Sequence, residues 1–186
     1  MAVLLALALL LGFAAAASGA TWTRLEQGRS GSYGFLVQAK RGAAGGPCLR
    51  VSVLERRGRF IFERGRFRSC AGPGGELHAR SAPLFAGGAQ LGRAPGSGLS
   101  VFAALFAPEV RGAWLGLEAG GIGVEIRELE PGEVGALAVG RAGLGLVVLD
   151  GVRCPSRAIS RGDGGATLWD SGGGLGCGGF EAALGP

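Results

Sequence analysis

From Thr21 onward the chain alternates between short apolar runs with a period of two and Gly-rich breaks, and it nowhere sustains a period of 3.6. That pattern predicts strands at Trp22 to Glu26, Tyr33 to Lys40, Cys48 to Glu55, Phe60 to Glu63, Glu76 to Ala82 and Leu99 to Phe106. Further strands follow at Ala113 to Glu118, Ile122 to Arg127, Leu144 to Leu149, Ser156 to Ser160 and Ala166 to Trp169. The clearest has Ile122, Val124 and Ile126 inward with Glu125 and Arg127 outward, because one face must be buried and the other wet. Ala119-Gly120-Gly121 before it reads as a hairpin turn.

Two runs, Val101 to Phe106 and Leu144 to Leu149, are apolar on both faces. Such strands lie centrally and are covered on both sides, so two sheets packed face to face, or a sheet with a further covering segment, are expected. Glu130-Pro131-Gly132-Glu133 fits a short helical turn opening at Pro131, while Gly132, Gly135 and Gly140 oppose a long helix. The stretch from Gly172 to Gly179 holds six glycines in eight positions and reads as a loose tail. The expected class is all-β: one immunoglobulin-like antiparallel β-sandwich of roughly eight to eleven short strands over residues 21–171, with a Gly-rich tail over 172–186.

Met1 to Ala17 is almost wholly Ala, Leu, Val and Phe, and Ser18-Gly19-Ala20 supplies the small residues of a signal-peptidase site, so residues 1–20 read as a secretory signal cleaved after Ala20. As a helix the apolar run spans roughly 24 Å, short of the roughly 30 Å of hydrocarbon that a stable anchor crosses. A secreted or cell-surface domain with no stable membrane span is expected. Export changes how the four cysteines, Cys48, Cys70, Cys154 and Cys177, are read, because an even number in an exported chain indicates two disulfides. Three pairings are open, and the spacings of 22 and 23 residues favour Cys48 with Cys70 and Cys154 with Cys177. No cysteine pair has zinc-knuckle spacing and His78 is the single histidine, so neither a metal nor a cofactor is expected.

Charge is uneven: residues 21–80 hold twelve basic and four acidic groups, whereas 81–186 hold seven and ten. Outside the cell the partners of a basic region are anionic cell-envelope polymers or lipid head groups, not nucleic acid. The candidate anion-binding residues are Arg56, Arg57, Arg59, Arg64, Arg66 and Arg68, which flank Phe60-Ile61-Phe62-Glu63. With Phe60 and Phe62 directed into the core, these arginines gather at the rim of a sheet.

Motifs for catalysis are fewer than they first look. Asp170-Ser171-Gly172-Gly173 matches the nucleophile segment of chymotrypsin-like proteases, but Trp169 stands where that family has Gly and His78 lacks its Ala-Ala-His-Cys setting. No catalytic residue is assigned. The competing reading is a secreted hydrolase using His78 or the cluster Glu125, Glu128, Glu130 and Glu133. Arg161-Gly162-Asp163 followed by two glycines is ordinary turn chemistry.

The order of features also resembles uncharacterised exported β-sandwich proteins of high-GC actinobacterial-type lineages. The likeness rests on Tyr33-Gly34-Phe35-Leu36-Val37, on Gly46-Pro47-Cys48-Leu49 with a second Cys some twenty residues on, on Phe106-Ala107-Pro108-Glu109-Val110, and on a closing hairpin at Arg161 to Leu168. It implies a β-sandwich with at least one disulfide and carries over no functional residues. The expected role is a non-enzymatic extracytoplasmic binding or structural module.

Overall fold

The computed structural model describes residues 21–72, 76–91, 98–118, 120–137, 139–173 and 175. The expected signal at residues 1–20, Cys177 and most of the expected tail lie outside them. Twelve strands occur among the described residues, arranged as three antiparallel four-stranded sheets. The first sheet is a meander of β1 (Thr23–Ser30), β2 (Tyr33–Arg41), β3 (Pro47–Arg57) and β4 (Phe60–Cys70). The second runs β5 (Leu84–Leu91), β6 (Gly98–Phe106), β10 (Gly143–Asp150) and β9 (Ile126–Glu128). The third runs β12 (Thr167–Asp170), β11 (Pro155–Arg161), β7 (Gly112–Leu117) and β8 (Gly120–Val124).

Alternation along β6 fixes the layering. Leu99, Val101, Ala103 and Leu105 pack with Val37, Leu49, Val51 and Val53 of the first sheet. Phe102, Ala104 and Phe106, on the opposite face, pack with Leu115 and Ala158 of the third. The second sheet is therefore the middle layer, which is why β6 and β10 are apolar on both faces. The all-β sandwich follows the sequence pattern, and its stack has three sheets where an immunoglobulin-like sandwich has two.

Three local expectations are corrected. Glu76 to Ala82 is not a strand; the strand lies just beyond, at β5, where Gly87 and Gly88 look like a break in the sequence. Both glycines sit where a side chain has no room: a Cβ on Gly87 would lie 2.5 Å from the Val101 carbonyl oxygen, and one on Gly88 2.2 Å from the Phe67 ring. The hairpin expected at Ala119-Gly120-Gly121 closes one step earlier, with Leu117 opposite Gly120, so Gly120 and Gly121 belong to β8, and Gly121 has to lack a side chain because the Trp114 indole lies 2.0 Å from where its Cβ would stand. The third correction concerns Phe60 and Phe62 and is given with the site below.

The run Ile122 to Arg127 divides at Glu125, so that β8 joins the third sheet and β9 the second. Helix α1 (Pro131–Leu137) opens at Pro131 and buries Leu137 in the first core. The Glu133 carboxylate accepts the Glu130 backbone N–H at 2.8 Å, closing the first turn as one half of a capping box. Cys48 and Cys70 face each other across β3 and β4 and are joined by a disulfide. Cys154 is also disulfide-bonded. Leu175, in the expected tail, is buried in the core between the second and third sheets, so at that residue the tail is packed. No helix among the described residues is long and apolar enough to cross a membrane.

Candidate functional site

The basic segment Arg56 to Arg68 forms the tip and outer strand of the β3–β4 hairpin, at the free edge of the first sheet. Leu49, Val51 and Val53 of β3 face the core, and residues opposite each other in an antiparallel pair share a face. Extending that face outward brings Glu55 opposite Phe62 and Arg57 opposite Phe60. Phe60 and Phe62 therefore stand on the core side of the hairpin, as alternation predicts, but the core does not reach them. The pairing of β2 with β3 ends at Tyr33 opposite Glu55, with the Arg56 N–H held by the Ser32 carbonyl at 2.9 Å, so Arg57 to Phe60 project past the β1–β2 turn. Phe60, Ile61 and Phe62 are 58%, 62% and 43% exposed, and for Phe60 and Phe62 this overturns the expected burial. Gly58, at φ 58°, allows the two-residue turn that reverses the chain between Arg57 and Phe60.

The six candidate arginines have different fates. Arg57 and Arg64 both donate to the buried carboxylate of Glu55, each at 2.6 Å. Arg64 is able to do so because a bulge leaves it without an opposite residue on β3 and turns its side chain toward Glu55. Arg66 forms a two-bond fork with Glu63, which also accepts the Ser52 hydroxyl at 2.7 Å. Those bonds, Arg66 first, hold the Glu63 carboxyl below its ordinary value. Arg56 donates from Nε to the Gly58 carbonyl at 3.0 Å, and Arg59 lies 5.2 Å from the Phe60 ring centroid.

Arg68 belongs to a group that crosses the outer face of the sheet. The Trp22 ring carries Arg50 at 4.2 Å, Lys40 at 5.2 Å and Arg68 at 5.5 Å from its centroid. Arg50 and Arg68 are directly opposite on β3 and β4, a like-charge pairing that destabilises a sheet. The π face of the indole offsets part of that repulsion. None of the three cations has an ion-pair partner among the described residues; Arg50 donates to Gln38 at 2.5 Å. Burial, reinforced by Arg66 and Arg68, pushes the Arg50 guanidinium below its ordinary value. Trp22 was legible only as the first residue of a strand, since its role depends on three strands that the sequence does not place side by side.

The residues considered for catalysis separate. His78 is exposed and lines an open cleft of about 600 Å³ with Arg41, Glu76, Glu109 and Arg141. Its ring has no hydrogen-bond or ion-pair partner among the described residues. The Glu125 to Glu133 cluster does not line that cleft. Glu128 pairs with Arg141 at 2.7 Å, and Glu133 with Arg127 at 2.9 Å, the latter tying α1 to β9 and holding the Glu133 carboxyl below its ordinary value.

Asp170 is forked by Arg157 and accepts the Gly172 N–H, while Ser171 Oγ accepts the Ala158 N–H at 3.0 Å, so the Asp-Ser-Gly-Gly run is a turn fastened to β11. Asp163 opens a short 3-10 turn with Gly164 and Gly165 at positive φ, and its carboxylate accepts Arg111 Nε at 3.0 Å. No group of three metal-ligating side chains occurs among the described residues.

Compared with known proteins, the chain matches no protein-family profile, no curated protein and no solved structure.

Proposed function

We propose that the chain is an exported, non-enzymatic binding module that holds anionic envelope polymer against the outer face of its first sheet. The observation that carries this reading is the convergence of Lys40, Arg50 and Arg68 on the Trp22 ring without an ion-pair partner among the described residues. Three cations from three adjacent strands gather on one indole, Arg50 and Arg68 opposite each other and Lys40 two residues along, opposite Cys48, and such a cluster of charges suits a repeating polyanion better than a single small ion. The Trp22 indole orients the cations and adds an apolar surface of the kind sugar rings stack on. A disulfide in the same sheet suits an oxidising, extracytoplasmic setting.

The test is retention on immobilised heparin as a model polyanion. Lys40→Ser with Arg68→Ser, and separately Trp22→Ala, lower the salt concentration of elution, whereas Arg157→Ser on the third sheet does not. Wild-type elution of both first-sheet variants sinks the proposal. The rival hydrolase reading has one observation in its favour, the shared cleft of His78, Glu76 and Glu109. It is tested by a panel of fluorogenic esters and glycosides; turnover that disappears in His78→Gln supports it.

A further inference from the structure

The hairpin tip lies outside the Trp22 cluster and has chemistry of its own. Phe60, Ile61 and Phe62 are three consecutive large apolar side chains, each more than two-fifths exposed, with Ile61 on the outer face and Phe60 and Phe62 on the core-side face, so that both sides of the tip are apolar. Among the described residues the only other exposed large apolar side chain is Val152, at 40%. Beside the tip a groove of about 430 Å³ runs between the β1–β2 and β3–β4 turns, with Leu54 and Ile61 as apolar lining and Arg29 and Arg56 as its cations. Neither arginine has an ion-pair partner among the described residues. Arg56 is oriented through Nε by the Gly58 carbonyl, which leaves both terminal nitrogens for another acceptor. Arg59 adds a third cation at the turn, over Phe60.

We infer that this end of the molecule docks on a bilayer containing anionic phospholipid: Phe60, Ile61 and Phe62 enter the interface, and the Arg29–Arg56 groove holds a lipid phosphate. An anion attached to hydrocarbon is the ligand that needs cations and exposed apolar side chains within one turn of each other. Charge complementarity separates this occupant from a second copy of the chain. Self-pairing along the free edge of β4 would bring together two strands that each carry Arg64, Arg66 and Arg68 with the single carboxylate of Glu63, and such charged edges oppose strand addition. A polyanion with no apolar part leaves the three apolar side chains unexplained. The hairpin is suited to insertion because its base is closed by the Cys48–Cys70 disulfide and its neck by the Glu55 ion pairs. The inference shares with the polymer reading only the export of the chain, and it rests on different residues.

Co-sedimentation of the oxidised protein with phosphatidylcholine vesicles, with and without one-third phosphatidylglycerol, tests it. Wild type partitions at least about tenfold more strongly to the anionic vesicles. Changing Phe60, Ile61 and Phe62 together to Ser removes at least about tenfold of that binding while heparin elution stays near wild type. Arg29→Gln with Arg56→Gln weakens binding to anionic vesicles only, and Ile61→Asp alone serves as an independent probe if the triple variant folds poorly. Excess inorganic phosphate leaves the vesicle-bound fraction largely in place. The inference is overturned if wild type does not distinguish the two vesicles, or if the tip variants bind as wild type does. It is also overturned if inorganic phosphate releases the protein, or if the tip instead supports a concentration-dependent dimer that Ile61→Asp abolishes.

Discussion

Replacing Glu55 with Gln separates two effects that an arginine-rich strand usually confounds. Glu55 is buried and is the common acceptor for Arg57 and Arg64, whose side chains are 32% and 34% exposed. A fully exposed ion pair contributes about 0.2 to 1 kcal/mol, and breaking a fully buried one costs about 3 to 5 kcal/mol. Two pairs that share one buried carboxylate but have partly wet arginines fall between these limits, at about 2 kcal/mol in total. For a domain of this size that is a fall of roughly 4 to 8 °C in Tm. The same substitution raises the local charge by one and releases two guanidiniums at the hairpin neck, on the face opposite the Trp22 group, where a polymer that wraps round the free edge of β4 meets them. Affinity for polyanion therefore rises while stability falls, and each released cation that meets the polymer steepens the salt dependence by about one counterion.

Thermal unfolding and heparin elution on the same preparation read both quantities. A loss of Tm with unchanged or weaker heparin retention would refute the reasoning, because it would show that the Arg57 and Arg64 charges do not face the bound polymer. An unchanged Tm would refute it from the other side, by showing that Glu55 does not hold the hairpin neck.

Further outcomes follow from residues outside the basic face. Gly87→Ala directs a methyl at the Val101 carbonyl oxygen and the Phe102 Cα, so it destabilises by about 2 to 3 kcal/mol in urea denaturation. Gly123→Ala, on the exposed side of β8 with nothing within 4 Å, stays within about 0.5 kcal/mol. The Arg157 guanidinium and the Gly172 N–H draw Asp170 from 3.8 down to about 2. A carboxyl lowered in the folded state stabilises fully above its ordinary value, and that contribution is lost as pH falls from about 4 toward 2. Arg157→Gln therefore flattens this part of the acid limb of a stability profile and moves the Asp170 carboxyl signal upward in an NMR titration. Ser171, whose hydroxyl oxygen accepts the Ala158 N–H, is not labelled by a fluorophosphonate, and Ser171→Ala costs about 1 kcal/mol through the lost turn bond.

Much of this architecture was legible wherever a local period decides it. Ile122, Val124 and Ile126 are more protected than Glu125 and Arg127 because period-two alternation requires only that one side of the strand be covered. Val101 to Phe106 and Leu144 to Leu149 carried the middle layer in advance, since a strand apolar on both faces needs two covers. Pro131 marked the start of α1 through its fixed φ. β5 was illegible because Gly87 and Gly88 look like loop residues until the Phe102 and Phe67 side chains are placed against them.

The site was legible in its residues but not in its depth. Alternation gave Phe60 and Phe62 the correct face, yet their exposure depends on where β2 ends beside β3, a non-local property of register. Arg57, Arg64 and Arg66 look equivalent to Arg56, Arg59 and Arg68 in the sequence. They differ because Glu55 and Glu63 lie within reach of only the first three.

The central claim, that the Trp22 face holds polyanion, is tested most directly by the indole N–H signals of the three tryptophans during an NMR titration with a heparin oligosaccharide. The face predicts that Trp22 shifts in a saturable, salt-sensitive manner while Trp114 and Trp169, in the third sheet, keep their positions. A Trp22 signal that stays still while the protein binds would contradict it.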